Sequence, residues 1–252
     1  MTKSKTPENY HLFKKYFPNE DDLFLFYQAW SNDTFKNSIK HANTLIKRHP
    51  NNPMAIFIYA VMLGDGSIIM KKKSERADRL KAAKMLKGIL PRVRGREFNR
   101  MREIIRNEYY FMSYQPLKQY KLGVEVELKN RKNKHKKISY PKYREDAGLY
   151  SQGVGSSILA YNFLEKGNLK RSLHWAKITV KTWEKLNVIR DNHFQYDFFY
   201  IQGLAMTGEH KKAMDLYKLA IKKVEYYKNI GKPTIKTCIA KLEKIERLKN
   251  QY

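Results

Sequence analysis

The chain has 252 residues, 42% of them apolar and 13% aromatic, which excludes a disordered polar polymer and leaves room for one or two domains. Lys and Arg number 51 against 24 Asp and Glu, a formal net charge of +27, so the molecule attracts polyanions: nucleic acid, an acidic protein or an anionic membrane surface. A single cysteine, Cys238, excludes an intrachain disulfide and a thiolate metal site.

Only 12 Gly and 8 Pro interrupt the chain, which favours long helices over a many-turned β protein. Met1 to Tyr10 is polar, without the apolar segment of a secretory signal. The longest apolar stretches, Ile56 to Leu63 and Asp22 to Trp30, fall short of the roughly 20 residues that span a bilayer. The expectation is a cytoplasmic protein with no membrane span.

Residues 1 to 20 read as a lead-in, with Tyr10, Leu12, Phe13, Tyr16 and Phe17 suggesting a short amphipathic turn before Pro18. Asn19 and the acids that follow it place a cap and favourable charge at a helix start. That helix runs from about Asp22 to Trp30. A second, from about Thr34 to Arg48, carries Phe35, Ile39, Ala42, Leu45 and Ile46 on one face. Pro50 stops it and Pro53 opens the next, predicted over Pro53 to Leu63 with a turn at Gly64-Asp65-Gly66. A longer loop with Lys71, Lys72 and Lys73 leads to a helix from Ser74 to Leu90, ended by Pro91.

The middle is less regular. Helices are predicted over Phe98 to Tyr114 and Leu117 to Leu128, separated by Pro116. Lys129 to Lys137 has no apolar residue and reads as a basic loop or linker. Regularity then returns. The predicted helices are Tyr143 to Glu165, Leu169 to Leu186, Asn192 to Met206 and His210 to Tyr227, with turns at Gly167 and Gly208. After Gly231 and Pro233, a final helix puts Ile235, Cys238, Ile239, Leu242, Ile245 and Leu248 on one stripe, as a terminal cap does.

Two C-terminal hairpins resemble tetratricopeptide repeats. In the last, Gly203, Gly208, Ala213, Tyr217 and Ala220 stand at the family's small, turn, small, aromatic and small positions. The hairpin before it has Leu159, Ala160, Gly167, Leu173 and Ala176 in comparable places, but Ser172 and Thr179 replace alanines. The N-terminal hairpin ends in His49-Pro50-Asn51-Asn52-Pro53, similar to the family's proline-asparagine ending. The resemblance covers about two thirds of the chain and lapses over residues 91 to 142. It implies a single all-α domain over 1–252: stacked antiparallel helical hairpins in a right-handed superhelix, closed by a C-terminal capping helix. The parts are hairpins over 21–90, irregular helices and a basic loop over 91–142, and repeat-like hairpins with a cap over 143–252.

The chemistry of catalysis finds little footing. Seven histidines are scattered, and Asp191, His193 and Asp197 are the closest metal-like grouping. Gly153-Val154-Gly155-Ser156-Ser157 lacks the lysine of a phosphate loop and the preceding strand, so it reads as a flexible point or a close packing site. No nucleophile with a placed base or paired carboxylates stands out. The expectation is therefore no enzyme, no cofactor and no metal.

Binding is the expectation instead. By the resemblance, the first helix of each hairpin lines a groove, which would present Phe24, Tyr27, Trp30, Phe57, Tyr161, Phe198, Phe199 and Gln202. Aromatics anchor interfaces with little entropy loss. The family's clamp for a peptide carboxylate is missing at these positions, so an apolar or amphipathic helical segment fits better. A patch for an anionic partner is expected from Lys71, Lys72, Lys73, Arg92, Arg94 and Arg96, with Arg76, Arg100, Arg102 and Arg106 in the same dense region, and from Lys132, Lys134, Lys136 and Lys137. The leading reading is an adaptor or scaffold for an acidic protein partner. Nucleic-acid binding through the basic patches and self-association as a homo-oligomer are the rival readings.

Overall fold

The computed structural model describes residues 13–31, 35–69, 72–133, 143–189, 197–226, 242–248 and 250. Among these residues there are helices and turns and no strand. The chain forms two compact units, Met1–Ser113 and Tyr114–Tyr252.

The first unit holds α1 (Glu20–Ser31), α2 (Phe35–Arg48), α3 (Pro53–Ile69), α4 (Glu75–Ile89) and α5 (Asn99–Met112). Local chemistry sets their ends. Asn19 Oδ1 accepts the Asp21 N–H at 2.8 Å, and Glu20, Asp21 and Asp22 fill the first turn of α1, where carboxylates meet the positive helix end. Asn52 Oδ1 accepts from the N–H groups of Met54 and Ala55 at 2.9 and 3.3 Å, and Pro53 has no N–H to orphan at that position. Two 3-10 turns, Leu90–Arg92 and Arg96–Phe98, join α4 to α5.

The second unit holds α6 (Pro116–Asn133), α7 (Tyr143–Glu165), α8 (Leu169–Ile189), α9 (Phe198–Thr207) and α10 (His210–Tyr226), with a further helical segment at 242–248. Gly167 and Gly208 take the left-handed backbone, φ 70° and 96°. Each closes a helix: Asn168 N–H reaches the Phe163 carbonyl and Glu209 N–H the Leu204 carbonyl, both at 2.9 Å. Asp197 caps α9, accepting from the Phe199 N–H at 2.8 Å.

Within each unit, helices pack against their chain neighbours and also against the next but one: α1 with α3, α3 with α5, and α7 with α9. That is the contact pattern of hairpins laid side by side, each burying its apolar face on the next. The first unit's core runs through Phe17, Leu23, Phe26, Leu45, Met54, Ile58, Leu86, Phe98, Ile105 and Met112. In the second unit Trp183, Ile201, Leu204 and Ala213 are buried.

Three expectations change, and a fourth is narrowed to one of its two alternatives. The predicted turn at Gly64-Asp65-Gly66 is continuous helix, since α3 runs on to Ile69. Gly64 serves close approach instead: a Cβ there would stand 2.3 Å from Met112 Sδ. The basic loop begins later than expected, because α6 continues to Asn133. Residues 134–142 lie outside the described residues, as do Ile235, Cys238 and Ile239 of the predicted cap stripe. Gly153 and Gly155 are interior to α7 and make close contacts, with Trp183 and with the backbone of α6 respectively. Lastly, Lys72, Lys73 and Arg76 lie at the start of α4 and Arg92, Arg94 and Arg96 beyond its end. The dense region is thus divided by about 22 Å of helix.

Candidate functional site

In the first unit the predicted groove residues separate into two groups. Phe24, Tyr27 and Trp30 follow one another at three-residue steps, which forms a continuous ridge on a helix. Phe24 is 56% and Trp30 42% exposed. The inner side of Trp30 packs on Phe57 and Phe26, with ring centres 5.1 and 5.7 Å apart. Phe13 of the lead-in meets Tyr27 edge-on at 6.0 Å. Phe57 lies below this layer at 2% exposure and presents no surface.

The other side of that hairpin is basic. Asp22, itself buried, binds Arg48 Nη1 at 2.8 Å and His49 Nε2 at 2.7 Å, which makes α1 and α2 antiparallel. Burial pushes the Asp22 carboxyl up, but the hydrogen bonds from Arg48 and His49 outweigh it and hold the group below its ordinary range. The antiparallel pairing brings Lys36 and Lys40 to the end of the hairpin that carries Trp30. With Lys47 they form an exposed stripe along α2.

In the second unit, Phe198 and Phe199 are half-buried and Gln202 is only 5% exposed, so Gln202 belongs to the helix interface rather than to a groove lining. Tyr161 is covered by the chain itself. Lys244 Nζ stands 5.7 Å from the centre of its ring and 2.5 Å from Glu165 Oε1, one turn further along α7. Burial, then the Glu165 charge, push the Tyr161 hydroxyl up.

The basic residues near α5 are partly occupied. Arg92 donates to the Asn51 carbonyl, Arg94 Nε to the Pro91 carbonyl at 2.9 Å, and Arg102 Nη1 to the carbonyls of Val93 and Gly95 at 2.9 and 3.0 Å. Arg94 and Arg102 satisfy carbonyls of the connection between α4 and α5, which has no ladder of its own, and Arg92 ties that connection to the turn between α2 and α3. Arg96, Lys72 and Lys73 are exposed. Lys132 is in α6 with its side chain outside the described residues, and Lys71, Lys134, Lys136 and Lys137 lie outside them altogether.

One charged cluster was missed at the sequence level. Asp65 is the only charged residue in the apolar run of α3, and that isolation was its available signal. Burial pushes its carboxyl up to about 6, against the pull of the Arg79 charge. Burial and then the Asp65 charge push Glu108 of α5 up to about 8. Arg79, buried in α4, donates to the Phe111 carbonyl at 2.5 Å and lies 4.9 Å from the Phe111 ring centre. The cluster spans three helices and balances its charge by holding a proton on the acid pair. Among the described residues no group of three or more His, Cys, Asp or Glu is placed to hold a metal ion, and no helix is long and apolar enough to cross a membrane. Asp191 and His193 of the sequence grouping lie outside the described residues, and Asp197 is occupied as a helix cap.

Comparison with protein-family models, with curated proteins and with solved structures found no match. The functional reading therefore rests on this chain's own residues.

Proposed function

We propose that the protein is a non-enzymatic scaffold of degenerate tetratricopeptide-like hairpins, wound as a right-handed superhelix, that docks an acidic amphipathic helix of a partner protein. The observation that carries this reading is the pair of exposed rings, Phe24 and Trp30, that flank half-buried Tyr27 on α1. Two large aromatic rings held out of the core cost solvation, while their rigidity makes them effective anchors. The lysine stripe on the same hairpin selects the sign of the partner, because charge complementarity governs which partner is tolerated and how fast it arrives.

The test uses a pair of labelled helical peptides with the same apolar stripe, one with glutamates and one with lysines on the flanks. In fluorescence anisotropy the glutamate peptide is expected to bind at least about tenfold tighter, and Phe24→Ala to weaken it about tenfold, roughly 1.4 kcal/mol. Phe24 touches solvent more than core, so this variant keeps its fold. Equal binding of both peptides, or a Phe24→Ala chain with undiminished affinity, removes the reading.

A further inference from the structure

The helix that separates the two ends of the basic region is itself basic. Arg79, Ala82, Ala83, Leu86 and Ile89 are the buried positions of α4, a stripe at one-, three- and four-residue steps that marks its inner face. The rest of the helix surface carries Arg76, Lys81, Lys84 and Lys87, all exposed and none in an ion pair among the described residues. Successive charges in this set are three to five positions apart, at most about 8 Å along the axis. That is no more than the screening length at physiological salt, roughly 8 Å, so their fields merge into one track. Lys72 and Lys73 continue it at one end and Arg92, Arg94 and Arg96 at the other. The acids in the stretch are half-buried and engaged: Glu75 pairs with Arg79 at 3.6 Å, and Asp78 accepts from Ser67 and Ser74. Every exposed charged residue from Lys72 to Arg96 is therefore basic.

The makeup of the track decides among polyanions. Lys72 to Arg96 contains no aromatic residue, so nothing in it stacks on the unpaired bases of a single strand. It contains no Asn or Gln, the side chains that pair with adenine edges. Leu80 is its only exposed large apolar side chain, which leaves little to enter a lipid surface. What remains is a straight array of positive charge, and its complement is a straight, dense array of phosphates. A duplex carries one phosphate per strand about every 3.4 Å of axis, so the roughly 22 Å of α4 lies alongside about six phosphates of one strand. We infer that the outer face of α4 is a docking surface for the phosphate backbone of a double-stranded nucleic acid, bound without regard to base sequence. This surface takes a different partner from the α1 ridge and uses none of its residues, so either reading can fail alone.

The probes are a labelled DNA duplex of about 20 base pairs and a single strand of the same length, titrated with the full-length protein at several salt concentrations and read by fluorescence anisotropy. The duplex is expected to bind at least about fivefold tighter than the single strand, because its charge density is higher. Lys81→Gln, Lys84→Gln and Lys87→Gln combined are expected to lower the log–log salt slope for the duplex by about 2.7, near 0.9 for each lost phosphate contact. Gln keeps helix propensity, and circular dichroism checks the fold. Should that triple variant lose its helical signal, Lys84→Gln with Lys87→Gln decides, with an expected drop of about 1.8. Lys177→Gln, Lys181→Gln and Lys185→Gln remove the same charge from the exposed face of α8 in the other unit, and are expected to lower the slope by less than about 1. Equal losses from the two triple variants would reduce the effect to net charge and overturn the inference. A single strand bound as tightly as the duplex would overturn it too. Polyglutamate or phosphatidylserine vesicles bound more tightly than the duplex, with the same dependence on Lys81, Lys84 and Lys87, would give the face to an acidic protein segment or a lipid surface instead.

Discussion

A carboxyl group in this protein takes its behaviour from its neighbours. Asp22 is buried yet held ionised by Arg48 and His49. Glu108 faces Asp65, and burial together with like charge keeps its proton on. The folded chain consequently retains protons near Glu108 and Asp65 that the unfolded chain releases above about pH 4. Both folded values are raised, so their effect is lost stability as pH climbs from about 4 through 6 and on to 8. Glu108→Gln keeps the shape and removes the titration. It is expected to stabilise the protein by about 1–2 kcal/mol at pH 8 and to change little at pH 5. Urea unfolding at the two pH values checks this, and an equal effect at both would remove the charge argument. Asp65 was legible only as a lone acid beside an apolar run, and with its flanking glycines it was read as a turn. Glu108 was not, because α5 is polar on several faces and nothing local marks which one turns inward.

Helices in the second unit approach as closely as their glycines allow. A Cβ at Gly123 would stand 2.4 Å from the Gly148 carbonyl oxygen, and one at Gly155 2.7 Å from the Pro116 carbonyl oxygen. Both obstacles are backbone, which cannot rotate aside. Gly123→Ala and Gly155→Ala are each expected to cost about 2–3 kcal/mol by forcing α6 and α7 apart. Gly88→Ala in α4 meets nothing within 4 Å and is expected to stabilise by about 0.5–1 kcal/mol through helix propensity. Thermal melts of the three variants separate the effects; a loss at Gly88 equal to the others would remove the packing argument, since a Cβ there displaces no neighbour. Element ends were well marked in the sequence by Pro53, Pro91, Pro116, Gly167 and Gly208. Element interiors were not, since glycine serves a turn and a close contact equally well. That ambiguity put a predicted turn at Gly64 where α3 in fact continues.

Charge acts on the whole molecule. A net +27 guarantees attraction to polyanions at low salt, but the side chains differ in freedom. Lys72 and Lys73 project from a turn, whereas Arg92 and Arg102 spend their donors on backbone carbonyls. In a salt titration with a single-stranded oligonucleotide, Lys72→Gln combined with Lys73→Gln is expected to reduce the log–log slope by about 1.4, close to 0.7 for each lost phosphate contact. Arg92→Gln is expected to lower the slope less and to lower stability by about 0.5–1.5 kcal/mol. Identical slopes for both variants would make the arginines free phosphate ligands instead.

What this sequence determined by itself was local: helices of 3.6-residue period, their caps and the glycines that end them. These follow from interactions spanning four or five residues, and such distances are written directly in the chain. Tertiary structure decided which aromatic ring faces outward. Phe24 and Phe57 look alike in sequence, yet one is exposed and the other lies beneath Trp30, because exposure depends on what the next hairpin brings. It also decided that the basic region divides across α4, that Asp65 meets Glu108, and that Tyr161 is covered by Lys244 from 83 residues away along the numbering of the chain. Each of those is a contact between distant segments, and only the packing of helices against one another brings such segments together.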